Sequence, residues 1–389
     1  MKIVFLMLLL INLLHSGEST SAQEGMANIR AEFEAMKKAQ NSQFQTYKQQ
    51  QKIAYNAYKN ELKKFWNKPE LSTQKEWVSY SDDKKSRSKV DFEKNIVVVE
   101  VIAKNSEVAQ AKLLDRIAYV VSKNTKEVVE SDELQKKLAS LKVPQEIITS
   151  RVDAKPILST LLFDSKPSEK ELNIYARKAL SQNKLELTPS KYGDENVYKL
   201  TIALPEDATL KRAHVYKDEI IKNANRFDIS VSLVFAIMQT ESNFNPFARS
   251  YIPAFGLMQI VPHSAGKDVY RYLYEKDGMP SSSYLYNSTN NIEMGTSYLY
   301  ILYYRYLRKI KDPQSRLYCT IAAYNTGAGN IAWAFTRRHS MNRAASKINA
   351  MSSDEVYAHL LKNLKYDEPK HYLKRVRRRM SVYENAYKL

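Results

Sequence analysis

One acidic side chain in this 389-residue sequence stands in a setting that favours chemistry over solvation. Glu241 follows Leu233, Val234, Ile237 and Met238 at helical spacing, so it falls on the apolar stripe of the helix that this spacing predicts. A Glu is almost never fully buried without a partner. Asn243, Asn245 and Pro246 stop the pattern, which places Glu241 near the helix C-terminus. Burial and the negative end of the helix dipole both oppose ionisation, so its pKa is expected above the ordinary carboxylate value. A carboxylic acid held protonated near neutral pH is what a general acid needs. A Glu capped by a neighbouring side chain is the plainer account, and the helix alone favours it.

The residues after the helix change that balance. Glu241-Ser242, Phe244-Asn245-Pro246, Ala248, Ser250 and Gly256-Leu257-Met258-Gln259-Ile260 resemble the first signature of lytic transglycosylases with a goose-type lysozyme fold. Gly295-Thr296-Ser297-Tyr298-Leu299 matches a second element and Ala322-Ala323-Tyr324-Asn325-Thr326-Gly327-Ala328-Gly329 a third. Glu368-Pro369-Lys370-His371-Tyr372 with Val376 is a weaker fourth. Any one motif carries a false-positive risk, but four in the right order leave little room for coincidence. Within that family, Ile237-Met238-Gln239-Thr240-Glu241-Ser242 and Ala265-Gly266-Lys267-Asp268-Val269 resemble the membrane-bound lytic transglycosylase C subgroup.

The resemblance implies an activity and a set of roles. Glu241 would protonate the glycosidic oxygen between N-acetylmuramic acid and N-acetylglucosamine in peptidoglycan. As a base it would then take the proton of the muramoyl C6 hydroxyl, which attacks its own C1 to leave a 1,6-anhydro end. Glycoside hydrolases usually pair two carboxylates, whereas an intramolecular attack needs no second activated nucleophile. Ser250 would sit beside the substrate N-acetyl group, and Met258 and Gln259 would line sugar subsites. Tyr324 and Asn325 would position the acid or the sugar, and Tyr372 would close the cleft. Met258 as core, Tyr324 as a packing aromatic and Asn325 as a C-cap are the plainer alternatives. For Gln259 and Asn325 the functional reading is preferred, because amides suit sugar hydroxyls and N-acetyl groups. For Tyr298 and Glu293, packing and a cap or turn are preferred. Ser242 is expected to cap or orient. Pro253 and Pro369-Lys370-His371 depart from the family pattern and bear on the cleft edge more than on the acid. A muramidase hydrolysing the same bond with water, and a non-catalytic cell-wall-binding or scaffold protein, remain the alternative functions. An intact Glu241, Gln259 and Tyr324-Asn325 speaks against the scaffold.

The elements that must position these residues read as an α+β protein. Residues 1–22 resemble a secretory signal: Lys2, an apolar run from Ile3 to Leu14, and Thr20-Ser21-Ala22 as a small-residue cleavage site. That run is too short to span about 30 Å of hydrocarbon, although an uncleaved anchor is the alternative. The sole cysteine is Cys319, so no lipoprotein-type cysteine follows the run. The lipid anchor of the subgroup therefore does not carry over, and a periplasmic location is expected. Residues 23–70 are expected to be helical, with stripes Ile29, Phe33, Met36 and Tyr55, Tyr58, Leu62, Phe65; a solvated helix is preferred to a coiled-coil arm. Residues 71–204 read as an antiparallel sheet with helices on one face: strands around Val90–Phe92, Ile96–Val99 and Tyr198–Leu204, helices near 106–121, 131–141 and 168–180. Pro205-Glu206-Asp207-Ala208 marks a boundary, beyond which 205–389 is expected to be mainly α-helical and lysozyme-like.

Other chemistries find little support. His15, His214, His263, His339, His359 and His371 show no ligand spacing, so no metal or cofactor is expected. Gly327-Ala328-Gly329 lacks the strand and further glycine of a dinucleotide fingerprint, and no nucleophile elbow is present. The net charge of +18 and the run Lys374-Arg375 with Arg377-Arg378-Arg379 could serve nucleic acid. An export signal argues against that, and a peripheral attraction to an anionic envelope surface fits better. For any single Lys or Arg, a solvated helix face is the preferred account.

Overall fold

The fold was read from a computed structural model that describes residues 20–141, 147–250 and 253–388. Nearly all of the expected signal segment lies outside these residues, as do the side chains of Ile29, Phe33 and Met36. Among the described residues no helix is long and apolar enough to cross a membrane.

A single 43-residue helix, Thr20–Leu62, leads into the sheet domain. Tyr58 and Leu62 of its second stripe are buried against Leu134, with Tyr55 packed alongside, so this end of the helix is docked. The sheet is fully antiparallel: β1 (Glu76–Tyr80), β2 (Ser86–Asp91), β3 (Ile96–Ala103), β5 (Leu185–Pro189) and β6 (Asn196–Ala203) lie in the order β1-β2-β3-β6-β5. Register puts Trp77, Val90, Val97 and Ile202 across from one another on one face, followed by Val99 with Leu200 and Val101 with Tyr198. Helices Ser106–Ser122 and Glu169–Gln182 contribute Leu113, Ile117, Val120, Ala176 and Ala179 to this core. The opposite face carries the buried Arg87–Glu100 ion pair, and Trp66 lies 4.3 Å from the Arg87 guanidinium.

Three details depart from expectation. β1 and β5 are additional strands: β1 is short, and β5 is an edge strand whose side chains are largely exposed, so neither shows a strong alternation. The helix expected near 131–141 runs Glu133–Ala139, capped by Asp132 accepting from Gln135 N, and an additional helix, Thr125–Ser131, precedes it and ends at Asp132. A two-residue parallel pairing joins β4 (Ile147–Ile148) to β7 (Met279–Pro280) across the two halves.

From Ala208 onward the chain is mainly helical around a second core. Its centre is the Val231–Ser242 helix, capped by the Ser230 hydroxyl. Leu233 through Met238 are all buried, so the helix is enclosed on every side, not along one stripe, as a helix at the middle of a core must be. The Asp367–Tyr387 helix packs along it, with Phe235 and Tyr383 stacked at 4.9 Å. The two cores meet where Phe247, five residues past Ser242, enters the sheet core and lies 5.5 Å from Trp77.

Candidate active site

Glu241 occupies the last turn of the enclosed helix. The turn that follows is left-handed at two consecutive non-glycine residues, Asn243 (φ 54°) and Phe244 (φ 63°). For a bulky L-residue such as Phe that region is an outlier costing roughly 1–2 kcal/mol, so the surroundings must hold it. Ser242, read as a cap, does part of this: its hydroxyl donates to Met238 O at 3.0 Å and accepts from Phe244 N at 3.1 Å. The sheet domain does the rest. The Asn243 amide donates to Phe92 O. The Asn245 amide reaches Gln74 O at 3.2 Å. Buried Arg212 donates both to Phe92 O at 2.8 Å and to Asn243 O at 3.3 Å. The Lys75 ammonium donates to Gln239 O at 3.0 Å and Thr240 O at 2.6 Å, two carbonyls at the end of the helix.

The Glu241 carboxyl accepts a hydrogen bond from the Tyr372 hydroxyl at 2.7 Å. Burial raises its pKa to about 7; the Tyr372 bond and the positive charges of Lys75 and Arg375 oppose the rise, and Glu368 adds to it. Glu368 is itself exposed and pairs with Arg375 at 3.5 Å. Tyr372 is 1% exposed, and its own pKa stands well above the ordinary tyrosine value through burial and the neighbouring carboxylate. It is thus a direct partner of the acid. Tyr324 feels the Glu241 charge, donates from its hydroxyl to Met258 O at 2.8 Å, and is met edge-on by Tyr298 at 5.5 Å. Tyr298 is a packing residue beneath Tyr324.

The other site residues divide into two groups. Gln259 has a left-handed backbone (φ 49°); its Nε2 donates to Gly256 O at 3.0 Å, while the buried Oε1 has no hydrogen-bond partner among the described residues. An orphaned buried acceptor costs about 1–3 kcal/mol, and a sugar hydroxyl or amide could satisfy it. Asn325, half-buried, lies at the end of the Pro313–Thr326 helix next to Tyr324, before Gly327 (φ 84°). Met258 departs from the expectation of a subsite lining. Its side chain is 0% exposed and packs so closely on Gly295 that a Cβ there would come within 2.3 Å of its sulfur. Only its backbone serves the site, receiving Tyr324 at the carbonyl and donating to Asn291 at 2.7 Å. Ser250 is turned toward another space: its hydroxyl accepts from Ala254 N at 3.2 Å, and it lines a cavity of about 240 Å³ with Lys48, Lys52 and Tyr55 of the long helix.

Several contributors escape the sequence reading. Arg379 donates to Thr240 Oγ1 at 2.9 Å and Tyr383 to Gln239 Oε1 at 3.1 Å, from the same helix as Tyr372. Their spacing from Tyr372 along one helix is the signal that could have found them. Lys75, far away in sequence, leaves no such signal. The basic run is also less of a patch than it looks, since Arg375 pairs with Glu368 and Arg377 lies over Tyr357 at 4.7 Å. Glu293 pairs with Arg226 instead of capping a helix. Among the described residues no group of three His, Cys, Asp or Glu is placed to hold a metal ion.

Comparison with known proteins bears on both halves. Residues 218–347 match the transglycosylase SLT domain, and residues 40–128 match the N-terminal domain of membrane-bound lytic murein transglycosylase C. The membrane-bound lytic murein transglycosylase C of Serratia proteamaculans is 33% identical over 316 residues, covering 80% of this chain and 83% of that protein. The same-named protein of Yersinia pestis is 34% identical over 310 residues, covering 79% and 81%. Among solved structures, the 70 kDa soluble lytic transglycosylase of Escherichia coli is 25% identical over 44% of this chain and 24% of its own, with a TM-score of 0.34. With both halves matched in order and a third of residues shared over four-fifths of its length, the chain belongs to the lytic murein transglycosylase enzymes, in the family of membrane-bound lytic murein transglycosylase C.

Proposed function

We propose that this enzyme cleaves the β-1,4 bond between N-acetylmuramic acid and N-acetylglucosamine of peptidoglycan glycan strands without water, using Glu241 as acid and then base. The observation that carries this is the Glu241 carboxyl, desolvated at the end of a buried helix, pushed up to a pKa of about 7 and bonded to the Tyr372 hydroxyl at 2.7 Å. Near neutral pH such a group holds a proton in part of the population and can give and recover it with little driving force in either direction. In the first half of the reaction the C1–O bond breaks and the Glu241 proton passes to the departing oxygen of N-acetylglucosamine. The new carboxylate is stabilised by the hydrogen bond from Tyr372. In the second half the muramoyl C6 oxygen bonds to C1 and its proton returns to Glu241. The enzyme ends as it began, and no water is consumed.

The Gln259 Oε1, unpartnered among the described residues, and the half-buried Asn325 amide supply sites for sugar hydroxyls or N-acetyl groups. Tyr324 donates to Met258 O and so holds the turn that carries Gln259. Ser250, turned toward the cavity under the long helix, is given no part at the N-acetyl group in this reading. The reaction takes place on the periplasmic side of the envelope, where the basic surface adds a general attraction to anionic material. The test is digestion of purified peptidoglycan with mass spectrometry of the released muropeptides. Products lighter by one water than the hydrolytic ones carry an anhydro end and support the reading. Ordinary reducing ends would instead make the enzyme a muramidase, and binding without release a scaffold.

A further inference from the structure

The sheet domain reaches the acid at one point. The loop before β1 carries Lys75 beneath the end of the Val231–Ser242 helix, where the ammonium donates to the carbonyls of Gln239 and Thr240, the two residues before Glu241. The last four carbonyls of a helix have no intrahelical partner, and a cation there offsets the negative end of the dipole. That end would otherwise push against a Glu241 carboxylate at the moment it forms. The neighbouring contacts fix the same junction: Asn245 to Thr73 O and Gln74 O, Asn243 and Arg212 to Phe92 O.

We infer that Lys75 is a positioning residue for the reaction, a charge supplied by the sheet domain that stabilises the carboxylate form of Glu241 through the helix end. The inference rests on Glu241 being the acid. It gives the sheet domain a part in the chemistry, although it touches no substrate. The charged and titratable groups acting on Glu241 are Tyr372, Lys75, Glu368 and Arg375, and those acting on Lys75 are Arg379, Glu93, Glu241 and Arg375. Burial pushes the Lys75 pKa down to about 8, with Arg379 acting the same way and Glu93 and Glu241 opposing. With a pKa of about 8 against about 7 for Glu241, Lys75 is mostly charged at the midpoint of the Glu241 titration.

The test is the pH profile of kcat/KM for glycan-strand cleavage by the full chain. Lys75→Gln keeps a donor for the two carbonyls and removes the charge, and Lys75→Arg keeps the charge. With a general acid, activity falls as pH rises through the Glu241 pKa. In Lys75→Gln that alkaline limb is expected to move up by about half a pH unit or more, because an opposite charge nearby is lost. Activity on the acid side should stay within a few-fold of the parent, Lys75→Arg should restore the original limb, and Lys199→Met at the sheet surface should leave it in place. A ¹³C titration of the Glu241 carboxyl, assigned by its loss in Glu241→Gln, should show the same rise without reference to turnover. Glu93→Gln provides a second route that leaves the helix end untouched. Glu93 is exposed and supports the Lys75 charge, so its neutralisation should shift the limb in the same direction by a smaller amount. If Lys75→Gln lowers the rate equally at every pH and leaves both limb and carboxyl titration unmoved, Lys75 only caps the helix and the inference falls. Should Lys75→Gln not fold, an unmoved limb in Glu93→Gln has the same meaning. A Glu241→Gln enzyme that still cleaves would overturn the proposed function itself, a distinct result.

Discussion

The two sides of the Glu241 helix end treat the acid differently. On one side the Asp367–Tyr387 helix brings Tyr372 to the carboxyl oxygen itself, with Arg379 and Tyr383 holding the side chains of Thr240 and Gln239. On the other side the sheet domain never touches the carboxyl and works almost wholly through backbone carbonyls: Lys75 to Gln239 O and Thr240 O, Asn243 to Phe92 O, Asn245 to Gln74 O. One side meets the carboxyl directly, and the other holds the chain and acts on the acid only through the helix end. A hydroxyl in contact responds directly to the ionisation state of the acid, whereas a clasp on carbonyls fixes geometry and brings the Lys75 charge near without touching the carboxyl. The comparison teaches that the sheet domain is a support for the strained Asn243-Phe244 turn and not a separate module on a linker.

Substitutions can separate the two sides. Glu241→Gln should have the largest effect, lowering kcat for glycan cleavage by about 10²–10⁴-fold, the usual worth of a positioned acid–base group. The same variant should report on stability with a defined sign. The folded-state pKa of about 7 lies above the ordinary Glu value, so ionising Glu241 costs stability progressively as pH rises from about 4.5 to 7. Removing the titration should make Glu241→Gln gain thermal stability relative to the parent at pH 8 and gain little at pH 4, read by melting curves at both. Trp77→Ala strikes the supporting side. Trp77 is 2% exposed against Phe247, and its loss should cost about 3–5 kcal/mol in denaturant unfolding. Cleavage should weaken with it, because the turn after Glu241 loses its backing. Tyr372→Phe strikes the proton-handling side: loss of a hydrogen bond to an ionised group is worth about 1.5–3 kcal/mol, so kcat should fall roughly 10-fold or more. Since Tyr372 lowers the Glu241 pKa, the alkaline limb should also move to higher pH. Glu293→Gln, which breaks the Arg226 pair, should be the smallest. Arg226 is largely exposed, and a pair of this kind contributes at most about 1 kcal/mol and nothing to the pH profile.

Much of the helical half can be read in advance because its signals are local. The run Leu233–Met238, the stop at Asn243–Pro246 and the Gly327 turn after Asn325 each appear within a few residues of what they position. Gln259 was expected as a cleft amide, and its Oε1 lies buried without a partner among the described residues. Met258, in the same motif, was expected to line a subsite, and its side chain lies in the core. Whether a methionine next to a cleft faces the sugar or the core depends on the empty space above Gly295, thirty-seven residues on, which no local pattern reveals. β5 was missed for a related reason, since an exposed edge strand buries too little to impose alternation.

The sequence alone determined that an acid stands at the end of an apolar helix, followed by a turn and three glycine-bearing motifs of the lytic transglycosylases, because composition and spacing along one segment dictate where that segment can be buried. The tertiary structure alone decided what surrounds the acid. Tyr372, Arg379 and Lys75 lie 131, 139 and 165 residues from their partners Glu241 and Thr240; the first two meet theirs where two helices pack in the second core, and Lys75 meets its own where the two cores join near Phe247 and Trp77. A pKa near 7 is a property of that assembly: desolvation comes from every element packed around the carboxyl, and the opposing hydrogen bond and charge come from opposite ends of the chain.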